Sequence, residues 1–234
     1  MPLKDFRERN KVGIIVQARM GSKRLPGKIM KLVNNKPNLF HMIKQIKKSK
    51  LYNKIIICTS KKKENNIVRT FCKQNKIICF SGSENNLVNR YYLAAKKYNI
   101  DVIVRLTADC PLIDPKIIDM CIKKFLTKNY DFVANTSPPH GKSYPDGVDV
   151  EVFSFETIKI VNNECKSRSD LEHVTPFIWR KKNRFKLFRF ELKKNFSKYR
   201  FTLDYKEDFL LIKKIIINFN KNKKLITMNN VVNF

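Results

Sequence analysis

The stretch KVGIIVQA at residues 11–18, running directly into RMGSKRLPGK at residues 19–28, decides how this chain folds. An uninterrupted β-branched run without polar alternation is the pattern of a strand buried on both faces. Such strands occur in parallel sheets covered by helices on each side. The ten residues after it hold two glycines, a proline and four cations, Arg19, Lys23, Arg24 and Lys28. In open α/β sheets, ligands bind beyond the carboxyl ends of the strands. Glycine lets backbone N–H groups approach an anion closely, so this loop is a candidate phosphate site.

Working outward, apolar runs at residues 54–59 (KIIICT), 76–80 (KIICF), 101–106 (DVIVRL) and 130–135 read as further strands. Helical spacing at residues 39–50, 65–74, 86–98 and 115–127 fills the intervals, the last with Pro115 in its first turn. Strict alternation predicts a doubly wound, mostly parallel, Rossmann-like α/β sheet. After Asn135 the rhythm breaks. Residues 136–147 (TSPPHGKSYPDG) predict a loop, residues 148–153 a strand, 154–164 and 169–181 helices, 185–192 and 198–204 strands, and 206–219 a closing helix. The expected organisation is an N-terminal extension (1–10), one domain (11–219) with a small irregular excursion at about 136–200, and a C-terminal tail (220–234).

The chain has 234 residues and a formal charge of +29, from 49 Lys+Arg against 20 Asp+Glu. With 43% hydrophobic residues it can bury a core, which excludes a disordered basic tail protein. Clustered cations suggest a polyanion partner. Yet 37 of the cations are Lys and only 12 Arg, whereas base-edge readout favours the guanidinium fork. The lysines are spread along a chain rich in Asn and Ile, so no specific nucleic-acid partner is expected. The six cysteines form no C-x-x-C pair and no zinc-like spacing with His41, His140 and His173. The first ten residues lack an apolar signal core and no run spans a bilayer, so a cytoplasmic enzyme without a membrane partner is expected.

Two acids stand out in a chain short of them. Asp109 follows the strand at 101–106, and Asp204 ends the run Arg200-Phe-Thr-Leu-Asp204. Carboxylates at two strand ends beside a cationic glycine loop are placed to hold a metal-bound nucleoside triphosphate, because Mg²⁺ takes few protein carboxylates and completes its shell with phosphate and water. Cys110 adjoins Asp109, but no histidine constellation supports a thiol nucleophile.

These residues carry a resemblance. The segment Ile14 to Lys28 is similar to the opening signature of the cytidylyltransferases that make CMP-activated acidic sugars, the 3-deoxy-manno-octulosonate and acylneuraminate cytidylyltransferases. It resembles most their relatives of the spore-coat polysaccharide biosynthesis protein F type. Further matches follow in order at Ser81–Glu84 with Asn89–Tyr91, Thr107–Asp114, Tyr144–Glu151, Glu172–Pro176 and Thr202–Asp208. The resemblance implies a sheet of the nucleotide-diphospho-sugar transferase type and a CTP-dependent nucleotidyltransferase with Mg²⁺ as cofactor, working in surface polysaccharide biosynthesis. It implies CTP binding by Ala18, Arg19, Gly21, Ser22, Lys23, Arg24, Lys28 and Asp109, with Ser81, Gly82, Ser83 and Arg90 near the base and ribose. Asp109 and Asp204 would bind the metal, and Arg19, Lys28, Asp109 and Asp204 would serve catalysis. Asp146, Asp149, Glu151, Glu172 and His173 would face the acceptor, an acidic sugar or small phosphorylated metabolite. A homodimer built through the excursion is also implied. Two other readings stand beside it: a nucleotide-sugar glycosyltransferase, for which Asp149-Val-Glu151 only approximates the D-x-D metal motif, and a polyanion-binding module using the basic surface.

Overall fold

The computed structural model describes residues 9–127, 129–136, 143–181 and 183–234. Its centre is β1 (Val12–Gln17), flanked by β4 (Lys54–Ser60) and β6 (Val102–Thr107), both parallel to it. The main sheet adds β5 (Ile78–Gly82), β7 (Phe132–Ala134), β8 (Glu151–Ser154) and β9 (Leu187–Arg189) in the order β5-β4-β1-β6-β8-β7-β9. Only β8 runs against its neighbours. A small antiparallel ladder of β2 (Leu32–Val33) and β3 (Lys36–Pro37) stands apart from it.

Alternate residues of β1 supply alternate cores, as a doubly covered strand requires. Val12, Ile14 and Val16 pack on one face with residues of α1 (Asn38–Ile46), α2 (Asn66–Gln74), α4 (Pro115–Thr127), α8 (Lys206–Lys221) and α9 (Met228–Val232). Ile15 packs on the other with residues of α3 (Leu87–Tyr98), α5 (Phe155–Glu164) and α7 (Pro176–Arg180); Leu171 of α6 (Arg168–His173) borders this core. Each fully buried Val or Ile contributes roughly 1.5–3 kcal/mol, which makes β1 the energetic spine of the fold. Helix starts sit where short polar side chains can cap: Asn86 Oδ1 accepts from Asn89 N at 2.8 Å, and Ser154 Oγ from Thr157 N at 2.9 Å.

The chain proceeds from β1 to β4 and β5 on one side, then returns past β1 to β6 on the other. The strand order therefore reverses between β1 and β6, and their carboxyl ends open a crevice there. The doubly wound, mostly parallel sheet expected from sequence is the observed one.

Two local expectations need correction. Residues 198–204 form no strand; a single parallel bridge, Asp146 with Arg200, is all the regular pairing they make. The apolar pattern there reflects packing of Phe201 and Leu203 in the core, with the backbone tied to two loops by Phe201 N to Asp146 O (2.6 Å) and Leu203 N to Asp109 O (2.7 Å). The single helix expected over 169–181 is two, α6 and α7, separated at Val174. That buried residue has φ 71° and ψ −57°, and Thr175 N donates to His173 O at 2.9 Å, which closes a γ-turn. Positive φ is costly for a β-branched residue, and Pro176 has no N–H with which to carry a helix on from Glu172, so it starts a new helix at its first position. The loop expected at 136–147 lies partly outside the described residues, as does most of the 1–10 extension.

Candidate active site

Beyond β1, the loop of residues 18–28 is fastened at both sides. Ala18, buried, donates its N–H to Cys58 O, and Met20 N donates to the side chain of buried Asn65. Gly27 takes φ +67°, a left-handed conformation that turns the chain into the 3-10 turn Lys28–Met30. The result is a cleft of about 420 Å³ lined by Gln17, Arg19, Gly21, Ser22, Lys23, Arg24, Lys28, Thr107 and Asp109. Eight residues expected to meet CTP thus include seven that line one cleft, with Ala18 beneath it.

Its chemistry centres on Lys28. The ammonium lies 2.8 Å from Asp109 Oδ2 and 2.9 Å from Asp204 Oδ1, so the two carboxylates converge on one cation. Burial alone would lower the Lys28 pKa, but Asp109 and then Asp204 outweigh it and hold it above its ordinary value. Burial likewise disfavours charge on Asp109, yet Lys28 keeps that carboxyl below the usual range. Arg24 reaches Asp204 Oδ2 at 2.8 Å and stacks over the Tyr205 ring. Asp204 arrives here on an extended segment rather than at a strand end. Its direction is set by Asp208, whose carboxylate accepts from Asp204 N (2.9 Å), Tyr205 N (2.8 Å) and Arg200 (2.6 Å). An acid three residues into a helix is the ordinary signal for such a cap, and it was readable in the sequence.

Arg19 bridges outward, with Glu84 Oε1 at 3.2 Å and Glu172 Oε1 at 4.0 Å. Glu84 opens the turn after β5, where fully buried Arg90 donates to the carbonyls of Ser83 (2.8 Å) and Glu84 (3.1 Å). Ser81, Gly82, Ser83 and Arg90 do not line the cleft; Arg90 holds the Ser83–Glu84 turn, and Glu84 links that turn to Arg19.

A second pocket of about 270 Å³ shares Thr107 and Asp109 with the first and adds Arg105, Cys110, Thr136, Asp146, Asp149, Glu151 and Thr202. Glu151 pairs with Arg105, which also reaches Gln17 Oε1 at 3.5 Å, and accepts from Thr175 Oγ1 at 2.9 Å. The γ-turn at Val174 is what aims that hydroxyl. Asp149 accepts from Gly147 N at 2.7 Å; burial, with Asp146 and Glu151 adding to it, raises its pKa despite the Thr136 and Gly147 hydrogen bonds. Gly147 has φ +99°, and a Cβ there would stand 2.5 Å from the Phe201 carbonyl carbon, so only glycine fits. Asp146, Asp149 and Glu151 line one pocket, and Glu172 reaches Arg19. His173 is exposed and lines neither pocket. Sequence reasoning missed Arg105, a charged residue inside an otherwise apolar strand, which is itself a signal of a buried charge partner. Cys110 is buried and its thiol is pushed well up, which removes it as a nucleophile.

A family model described as Cytidylyltransferase matches residues 13–231. The chain belongs to this family of CTP-dependent nucleotidyltransferases. The enzyme is 34% identical over 217 residues to an uncharacterized protein of Methanocaldococcus jannaschii, covering 92% of this chain and 85% of that one. It is 29% identical over 215 residues to the spore coat polysaccharide biosynthesis protein SpsF of Bacillus subtilis, covering 88% and 86%. Among solved structures it resembles a cytidylyltransferase from Leptospira borgpetersenii, with TM-score 0.82, 34% identity and coverage of 93% and 97%. A CMP:2-keto-3-deoxy-manno-octonic acid synthetase complexed with CTP shares the fold, with TM-score 0.67 at 13% identity and coverage of 89% and 99%. Among the described residues no helix is long and apolar enough to cross a membrane.

Proposed function

We propose that this cytidylyltransferase transfers CMP from CTP to a hydroxyl of a sugar-type acceptor, releasing pyrophosphate, in the synthesis of a surface polysaccharide. The observation that carries the reading is the placement of Arg19, Arg24 and Lys28 with Asp109 and Asp204 around one cleft that opens, across Asp109, into a second pocket. The first would hold the triphosphate and the second the acceptor, with the α-phosphate at the seam. Attack from the acceptor side would then drive pyrophosphate towards the cationic loop, the in-line arrangement that nucleotidyl transfer needs. Arg19, Lys23 and Lys28 would offset the charge gathering on the leaving group, so positioning and electrostatics supply most of the catalysis. That the acceptor is an acidic sugar or a phosphorylated metabolite rests on family likeness, while the carboxylates of the second pocket suit its hydroxyls.

Mg²⁺ belongs to this reading. Asp109 and Asp204 already converge on one cation, the Lys28 ammonium, and are hard oxygen donors of the kind Mg²⁺ prefers. Those two carboxylates would hold the ion, and a bound Mg²⁺ would neutralise phosphate charge. Lys28, displaced from between them, would turn its ammonium to the phosphates. A homodimer built through the excursion and a cytoplasmic setting complete the proposal.

The direct test is pyrophosphate release from each of CTP, UTP, ATP and GTP with Mg²⁺ across a panel of sugar acceptors. Turnover confined to CTP and one acceptor class is expected. A preference for another nucleotide, or transfer from a nucleotide sugar instead, would sink the reading.

A further inference from the structure

Transfer of CMP to a hydroxyl requires that a proton leave the acceptor oxygen. Three carboxylates of the second pocket have their partners defined, and they differ in kind. Asp109 is taken up by Lys28 and would be taken up by a metal. Glu151 is paired with Arg105 and accepts from Thr175, and both Glu151 and Asp146 have further partners. Asp149 forms no ion pair among the described residues: its hydrogen-bond donors are the Gly147 amide and the Thr136 hydroxyl, and Arg105, paired to Glu151, acts on it only through space. It lines the pocket on the side away from the cationic loop, with Thr107 and Asp109 between them. Carboxylates matched to cations are poor bases, because the partner stabilises the ionised form; one held by neutral donors among like charges keeps its proton affinity.

We propose that Asp149 is the general base of the reaction, a role that rests on the reading of the second pocket as the acceptor site. Its carboxylate takes the proton of the acceptor hydroxyl as that oxygen bonds to the α-phosphorus of CTP. The bond from the α-phosphorus to the bridging oxygen breaks, and its electron pair leaves with pyrophosphate. Proton, nucleophile and leaving group are all accounted for, and no further reactant enters. The groups facing Asp149 are Asp146 and Glu151, which favour its protonated form, Arg105, which opposes them, and the neutral thiol of Cys110. The balance stands on the side of raised proton affinity. The base must be ionised to act, so activity falls as pH drops, beginning above the range of an ordinary carboxylate.

The test follows pyrophosphate release from CTP and Mg²⁺ against pH, with 2-keto-3-deoxy-manno-octonic acid as one probe acceptor and water alone as the other. Asp149→Asn keeps an oxygen for the Gly147 amide and changes only the charge and basicity. The expected result is a fall in kcat of about 10²-fold or more, a KM for CTP within about twofold, and loss of the acid limb. Asp149→Ala should recover part of its rate when formate is added, which a purely structural aspartate would not allow. An acid limb that survives in Asp149→Asn and vanishes in Asp146→Asn overturns the assignment while leaving the cytidylyl transfer in place. A wild-type protein that releases no pyrophosphate from CTP with these probes or with any acceptor of the panel removes the reaction and its base together.

Discussion

Replacing Lys28 with Met removes the one cation that Asp109 and Asp204 share while keeping the length of the side chain. The three side chains are 12%, 27% and 16% exposed, between the exposed and fully buried regimes. Exposed ion pairs contribute about 0.2–1 kcal/mol, and breaking a buried pair costs about 3–5 kcal/mol. A loss of about 2–3 kcal/mol near pH 7.5 is therefore expected, a fall in Tm of roughly 5–10 °C for a chain of this size. The pH dependence has a sign. Asp109 is depressed in the folded state, so its stabilisation is present above the unfolded carboxylate value and is lost as pH falls through the folded one. Lys28 is raised, so its contribution is complete below the unfolded amine value and disappears as pH rises through the folded one. The deficit of Lys28→Met should be largest between these limits and shrink as pH falls through the folded value of Asp109. Urea unfolding at two pH values measures it, and a double-mutant cycle with Asp109→Asn should show the paired loss to be less than additive by about 1 kcal/mol or more. A deficit under about 0.5 kcal/mol at pH 7.5, or one that grows in acid, would refute the claim that this triad is held by charge.

Two further substitutions probe the walls of the second pocket. Gly147→Ala forces a Cβ against the Phe201 backbone at a positive φ, and should cost more than about 2 kcal/mol in urea unfolding while disturbing the Asp149 contact. Thr175→Val keeps the shape but strips a hydroxyl from buried Glu151, for an expected loss of about 1–3 kcal/mol by thermal denaturation. An unchanged Tm would mean that the γ-turn at Val174 has no work to do through Thr175.

The sheet was legible because its central strands are apolar throughout and separated by helical spacing, and local pattern and tertiary burial agree at Val12, Ile14 and Ile103. The cationic loop was legible for the same reason: it must follow β1. Asp204 was found by a correct residue and an incorrect element, since an alternating apolar run looks the same whether its backbone pairs in a sheet or is tied to two loops. The break at Val174 was hidden because helical spacing continues across it, although Pro176 marks a new helix start, and the turn sets Thr175 Oγ1 against Glu151. Arg105 acts through Glu151, more than forty residues away, and Asp208 through Asp204, four residues away. The first link is made by strand pairing alone and the second by a helix cap, so one was beyond local reading and the other within it.

The reversed strand β8 carries a consequence for how such an enzyme can change. Glu151 begins β8 opposite Arg105 near the end of β6, so the wall of the second pocket enters the crevice from the amino end of one strand while the floor of the cationic cleft leaves from the carboxyl ends of the others. Ahead of Glu151 the chain is tied to residues outside the sheet: Asp146 N donates to Tyr199 O at 3.2 Å, and Phe201 N donates to Asp146 O at 2.6 Å. The wall of the second pocket is thus anchored apart from the pairing of β1 with β6, and under the proposed function the acceptor side can vary by substitution while that pairing stays fixed.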